Sequence, residues 1–232
     1  MGLASWRLGS GAWVLYTFSK LPLVGYLSSI PGLSPGPSAR RRLSREERHA
    51  QLIDTARRLV REEGTDALTL GRLAEQAGVT KPVVYDHFET RNGLLVALFR
   101  DYDARQTAIL EDALAECGPG LAARAEVIAS ATIGCVLTQG QEIPGVAAAL
   151  AGAPEMDALR RGYQSGFIAR CRAILEPFTE GGSLRPPALW AMLGAADALA
   201  EAAARGEIAP EEAVAELRRT IIAMVERGRP GA

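Results

Sequence analysis

The chain has 232 residues, 48% hydrophobic and 23% charged, with a formal net charge of −1. This is an ordinary globular composition, long enough for one large domain or two smaller ones, and it excludes a protein that grips nucleic acid through a global basic field. Its three scattered cysteines, Cys117, Cys135 and Cys171, form no Cys-x-x-Cys pair, which excludes a disulfide framework and a cysteine zinc site and fits small buried hydrophobes in a reducing cytoplasm.

Residues 1–37 are apolar and aromatic, then rich in Pro, Gly and Ser. Lys20 and Pro22 interrupt the apolar run, so it makes a poor membrane span, and it lacks the pattern of a secretion signal. This segment reads as a disordered tail, or as sequence upstream of a later start such as Val24. A basic run follows, with Arg40, Arg41, Arg42 and Arg45 within six positions. Residues 38–91 carry 11 basic against 9 acidic side chains, whereas residues 92–232 carry 13 against 18, so positive charge gathers in the first third.

From there the elements are helical. Ser44 followed by Glu47 is a capping-box signature. It opens a helix with Leu52, Ile53, Ala56, Leu59 and Val60 on one face and Gly64 as its stop; Arg57, Arg58 and Arg61 read as its solvated face. A short helix runs from Thr69 to Gly78, a third from Thr80 to about Phe88, and a fourth from Thr90 to about Cys117. Further helices are predicted at about 121–140, 143–151, 155–178, 187–205 and 210–227, punctuated by Gly and Pro. No stretch alternates with period two over a strand's length, so the fold class is all-α with about nine helices.

The second and third helices meet at "QAGVT". Gly78 supplies the left-handed residue of a tight turn, Val79 an apolar plug, and Thr80 the next cap. Two helices joined this way form a helix-turn-helix, whose second helix enters the major groove by its N-terminal end. That accounts for Lys81 and Arg91 at helix starts, where a cation opposes the dipole at a cost of about 0.3–1 kcal/mol: their partner is a phosphate outside the protein. Pro82 fits the first turn, and with Val83 it forms an apolar tip suited to thymine methyls. Thr80, Tyr85 and His87 can donate to phosphates, while Val84 and Phe88 face inward.

"TLGRLAEQAGVTKPVVYDHFETRNGLL", preceded by "RHAQLIDTARRLVREEGTDAL", closely resembles the DNA-binding domain of the tetracycline-repressor (TetR/AcrR) family of bacterial one-component regulators, over about residues 45–99. The resemblance implies a helix-turn-helix domain over 38–91 and a larger helical domain over 92–232 that dimerises and binds a small effector. It implies phosphate contacts at Thr69, Thr80, Tyr85, His87 and Arg91, and base-facing positions at Lys81, Pro82 and Val83. Arg40, Arg41, Arg42 and Arg45 would reach the backbone or the minor groove. The family usually has a hydroxyl or small residue where this chain has Pro82, so base preference does not carry over from relatives.

The family architecture also implies that the last two helices pair with their copies across a two-fold axis. Ala191, Gly194, Ala195 and Ala198 would permit close approach, and Val214, Leu217, Ile221 and Met224 recur at near 3.5 spacing as a seam. An effector pocket is expected among the middle helices, with Ile128, Thr132, Cys135 and Gln139 on one helix, Tyr163 and Phe167 on another, and Trp190 and Asp197 on a third. Asp197 needs a partner if buried.

These features predict a cytoplasmic homodimeric transcriptional regulator, a repressor that binds a palindromic double-stranded DNA operator and leaves it when a small apolar effector binds. No membrane partner, cofactor or metal is expected. The alternatives are an activator or nucleoid-structuring binder on the same fold and, more remotely, a helical enzyme or carrier with a vestigial DNA motif. With two histidines, His49 and His87, and no nucleophile, paired-carboxylate or phosphate-loop motif, no catalytic residue is assigned.

Overall fold

The structure, a computed structural model, describes residues 43–230; the 1–37 tail and Arg40, Arg41 and Arg42 lie outside the described residues. Among the described residues there are nine α-helices, one 3-10 turn and no strand. In chain order they are α1 (Arg45–Glu63), α2 (Leu70–Ala77), α3 (Lys81–Phe88), α4 (Arg91–Glu116), α5 (Leu121–Glu142), α6 (Val146–Ala149), α7 (Pro154–Leu175), the 3-10 turn Glu176–Thr179, α8 (Pro186–Ala204) and α9 (Pro210–Glu226). The Ser44–Glu47 capping box opens α1, and the hydroxyls of Thr69 and Thr90 accept from the amides of Arg72 and Gly93 at the starts of α2 and α4.

Two predicted helices end differently. The helix expected over 143–151 shrinks to the four residues of α6, because Gly145 before it takes a left-handed φ of 74° that no regular helix contains. The helix expected to 178 ends at Leu175, since Pro177 has no N–H to donate and its ring crowds the preceding turn.

Two buried clusters organise the chain. The first joins Leu52, Ala56, Leu73, Val84 and Phe88 of α1–α3 to Leu94, Leu95, Leu98 and Tyr102 of α4, and takes in Ile143, Val146 and Leu150 around α6. Helices α1–α3 therefore do not close their own core: α4 and the α5–α6 turn complete it. The second cluster joins α5, α7, α8 and α9 through Ile128, Ile133, Leu175, Met192, Leu217 and Ile221. Helix α5 is long and apolar enough to cross a membrane by length and composition; here it packs on α4, α8 and α9.

Polar contacts also hold α4 to its neighbours α1 and α5. Arg105 of α4 reaches Asp101 (3.1 Å) and Glu142 of α5 (2.6 Å). Arg57, expected on a solvated face, is instead drawn into Asp54 (2.6 Å) and Asp101 of α4 (3.9 Å) with only 22% of its side chain exposed. The buried Tyr102 hydroxyl donates to the Cys135 carbonyl and lies 2.9 Å from the Thr138 hydroxyl.

Candidate nucleic-acid interface and ligand cavity

The turn between α2 and α3 forms as its residues dictate. Gly78 adopts φ 63° and ψ 37°, its N–H closing onto Ala74 and Glu75, and the Val79 amide also returns to Ala74. Val84 and Phe88 are buried and hold α3 against the first cluster. What remains outside is the end expected to meet DNA. Thr69, Thr80, Lys81, Pro82 and Tyr85 are exposed, Tyr85 at 52%, and Val83 is half-buried.

The hydroxyl of Thr80 caps no amide, so it is free to donate outward. The Lys81 side chain crosses α2 above Gly71. A methyl placed on Gly71 would lie 3.7 Å from Lys81 Cε, 3.9 Å from Lys81 Nζ and 3.9 Å from Thr69 Oγ1. The ammonium and the hydroxyl thus both lie beside one small residue, where each can reach a phosphate oxygen. The sequence pattern assigns Thr69 and Lys81 separately; Gly71, one residue inside α2, is the small residue that both flank.

Other expected contacts are placed differently. Arg45 lies 2.7 Å from the Asp86 carboxylate and donates also to the Asp86 carbonyl, so it joins the start of α1 to α3. Arg91 donates from Nε to the Leu68 carbonyl (2.9 Å) and from Nη2 to the Thr65 carbonyl (2.8 Å), leaving Nη1 uncommitted. It is first a strap across the α1–α2 loop. His87 is half-buried, its ring 5.6 Å from that of His49 and 6.0 Å from that of Phe88. Burial, then the charges of Arg45 and His49, hold its pKa below the ordinary value.

Gly93 was not singled out from the sequence. A methyl there would stand 2.3 Å from the Phe88 carbonyl oxygen, so α3 and α4 approach closely only because position 93 has no side chain. The intervening Glu89 takes a positive φ of 57°. The cue was "TRNG", a cap followed by a glycine inside a helix.

A chamber of about 190 Å3 lies between α4, α5, α7 and α8. Thr132, Cys135, Tyr163, Phe167 and Asp197 line it, together with Leu110, Val136, Arg160, Arg170 and Leu193. Three residues expected there are elsewhere. Ile128 is buried in the second cluster, Trp190 is half-exposed on the outside of α8, and Gln139 is not on the wall. A wider cavity of about 640 Å3 between α4 and α7 shares Thr107, Tyr163, Phe167 and Arg170 with the chamber and reaches Gly93, Val96 and Arg100 near the helix-turn-helix. Burial raises the Tyr163 phenol and the Asp103 carboxyl above their ordinary values, and pushes the Cys171 thiol up to about 12, which makes that thiol unreactive. Among the described residues no His, Cys, Asp or Glu group is arranged to hold a metal.

The expected pairing seam on α9 needs correction. Leu217, Ile221 and Met224 are buried against α5 and α8 of the same chain, and Val214 packs partly on them, so a partner cannot reach that stripe. On α8, by contrast, Ala191, Gly194 and Ala198 are exposed and Ala195 half-buried, beside the exposed Trp190.

Residues 52–98 match the family model described as bacterial regulatory proteins, tetR family. Over 59 residues the chain is 37% identical to the HTH-type transcriptional activator FasR of Mycolicibacterium smegmatis, covering 25% of this chain and 27% of that one. Over 62 residues it is 34% identical to the HTH-type transcriptional repressor Rv1474c of Mycobacterium tuberculosis, covering 27% and 33%. These matches span a third or less of either relative. The whole fold resembles a transcriptional regulator from Pseudomonas aeruginosa PAO1, with a TM-score of 0.65 and 16% identity over 82% of this chain and 99% of that one. All three are named as transcriptional regulators, none as an enzyme.

Proposed function

We propose, starting from a chain whose residues 52–98 belong to the tetR family of bacterial regulatory proteins, that it is a homodimeric DNA-binding transcriptional regulator controlled by a small effector. The observation that carries this is the exposed end of α3. Lys81 is an unpaired cation there, beside Gly71 with Thr69, while Pro82 and Tyr85 are exposed to solvent. Lys81, Thr69, Thr80 and Tyr85 would hold phosphates, with His87 at the edge and Arg91 contributing through Nη1. Pro82 and Val83 would present an apolar tip to base edges. Arg45, once released by Asp86, and the basic run Arg40–Arg42 would add backbone contacts.

The two copies would meet through the outward face of α8, where Ala191, Gly194 and Ala198 allow close approach and Trp190 offers aromatic area. A two-fold dimer calls for a palindromic site with half-sites about one helical turn apart. The 190 Å3 chamber would hold the effector. It can release DNA only by binding the DNA-incompetent arrangement better than the competent one. Repression is the reading adopted. The two relatives are named as an activator and a repressor, so operator position decides between them.

Selection of binding sites from a random duplex pool tests this. A recovered inverted repeat, with half-sites one turn or slightly more apart and overlapping a promoter, supports a dimeric repressor. Recovery of no sequence in preference to the starting pool would sink it.

A further inference from the structure

We propose that the chamber takes a compact lipophilic organic cation, an ammonium on an aryl or alkyl body, with Asp197 as its counter-ion. This rests on the chamber being the effector site.

Three charged side chains stand on its wall, Arg160, Arg170 and Asp197. Both arginines are engaged. Arg160 Nη2 lies 3.5 Å from the Asp157 carboxylate. Arg170 Nη1 donates to the Thr107 hydroxyl at 3.2 Å, and its Nε lies 4.0 Å from Glu111. Asp197 has no ion pair and no hydrogen bond among the described residues, and lies between Leu193 and Leu199 on α8. Asp197 is thus the one charged side chain on the wall without a partner.

The rest of the wall defines the body of the ligand. Leu110, Val136, Phe167 and Leu193 are apolar, and Phe167 and Tyr163 add aromatic rings, the side chains that attract organic cations. The volume of about 190 Å3 is close to that of an engineered apolar cavity that admits benzene, so a compact body fits it. A neutral ligand would strip part of the water from the Asp197 carboxylate and return no partner, which is unfavourable. An anion would face Asp197 and would have to take Arg170 from Thr107 and Glu111. Asp197 keeps an exposed edge at the rim, yet its apolar surroundings already raise its carboxyl above the ordinary value with no donor to offset them. A bound ammonium supplies that missing partner.

The test is calorimetric titration of the full chain with three probes of one shape: phenyltrimethylammonium, its carbon isostere tert-butylbenzene, and benzenesulfonate. The expected result is a preference of about tenfold or more for the cation over the isostere, falling to about twofold in Asp197→Asn, with isostere affinity unchanged. Equal binding of cation and isostere, a preference for the sulfonate, failure of all three to bind, or a cation preference that survives Asp197→Asn would overturn the proposal. So would a changed sizing-column profile for the variant, since the carboxylate would then serve a subunit contact. Operator binding is measured separately without probe. Its loss sinks the regulator reading alone, whereas intact operator binding with no cation preference sinks only this inference.

Discussion

Thr65 donates its hydroxyl to the main-chain carbonyl of Pro144, joining the α1–α2 loop to the α5–α6 turn across 79 residues of sequence. Arg91 takes the Thr65 carbonyl from the other side (2.8 Å), and a methyl on Gly145 would come within 3.1 Å of the Thr65 hydroxyl. The start of the DNA-binding end and the far end of a cavity-lining helix therefore meet at one buried threonine. Thr65→Val keeps the shape and removes the donor. It should lower unfolding free energy by about 0.5–1.5 kcal/mol, the net range for one hydrogen bond, since the Pro144 carbonyl is only half-buried. Urea denaturation measures it. An unchanged midpoint would mean the contact contributes nothing.

Gly93→Ala should be more damaging than any exposed helical glycine-to-alanine change. Propensity alone predicts a gain of about 1 kcal/mol from such a change, but here the new methyl would stand 2.3 Å from the Phe88 carbonyl. A net loss of about 1–3 kcal/mol is expected, as for other overpacked sites. Faster amide exchange in α3 would localise the effect. A stabilised variant would show that the α3–α4 turn yields at little cost.

Much of this was legible in the sequence because the signals are local. Ser44 with Glu47, Thr69, Gly78 and Thr90 are caps and turns that act within one turn of helix, and each stands where its chemistry placed it. The inward face of α3 followed from Val84 and Phe88 at four-residue spacing. What was not legible depends on which of two neighbours a residue meets. Leu217, Ile221 and Met224 have the spacing of a seam, but that spacing is the same for a face turned toward α5 as for one turned toward a second copy. Arg91 and Arg45 are cations near helix starts, and only the fold brings the Thr65 and Leu68 carbonyls, or Asp86, within their reach. Asp197 could be flagged as needing a partner, but that it lacks one is visible only when the chamber has walls.

Arg91→Ala should act on stability before affinity. It removes two charge-assisted bonds to loop carbonyls, each worth about 1.5–3 kcal/mol when a charged group is involved. Thermal unfolding should show a clear loss, and the salt dependence of DNA binding should change less than for Lys81→Ala. The reverse ranking, a normal melting point with a reduced salt slope, would return Arg91 to a purely phosphate-binding role.

His87 gives a pH signature of two opposite signs. Its folded-state pKa lies below the ordinary 6.5, chiefly through burial and then through Arg45 and His49. Between the lowered value and 6.5 the folded chain binds fewer protons than the unfolded one. The His87 contribution to stability is thus fully present above about pH 6.5 and declines as pH falls through that window. A phosphate favours the protonated ring, so operator affinity should rise as pH falls over the same range. Melting temperature and DNA affinity between about pH 5.5 and 7.5, compared with His87→Gln, check both signs. Identical pH profiles for wild type and variant would remove His87 from the interface.

The most direct test of the central claim is the salt dependence of DNA binding for wild type and Lys81→Ala, read by fluorescence anisotropy on a labelled duplex from upstream of the protein's own gene. Lys81 has no protein partner among the described residues, so the variant should keep its fold and its sizing-column profile. Wild type should prefer the native duplex to a scrambled one and weaken steeply with salt, and Lys81→Ala should bind more weakly with a slope reduced by about 0.9, the release expected for one phosphate contact. Wild-type binding that is weak and equal on both duplexes, or a Lys81→Ala titration that overlays the wild type at every salt concentration, would contradict the account.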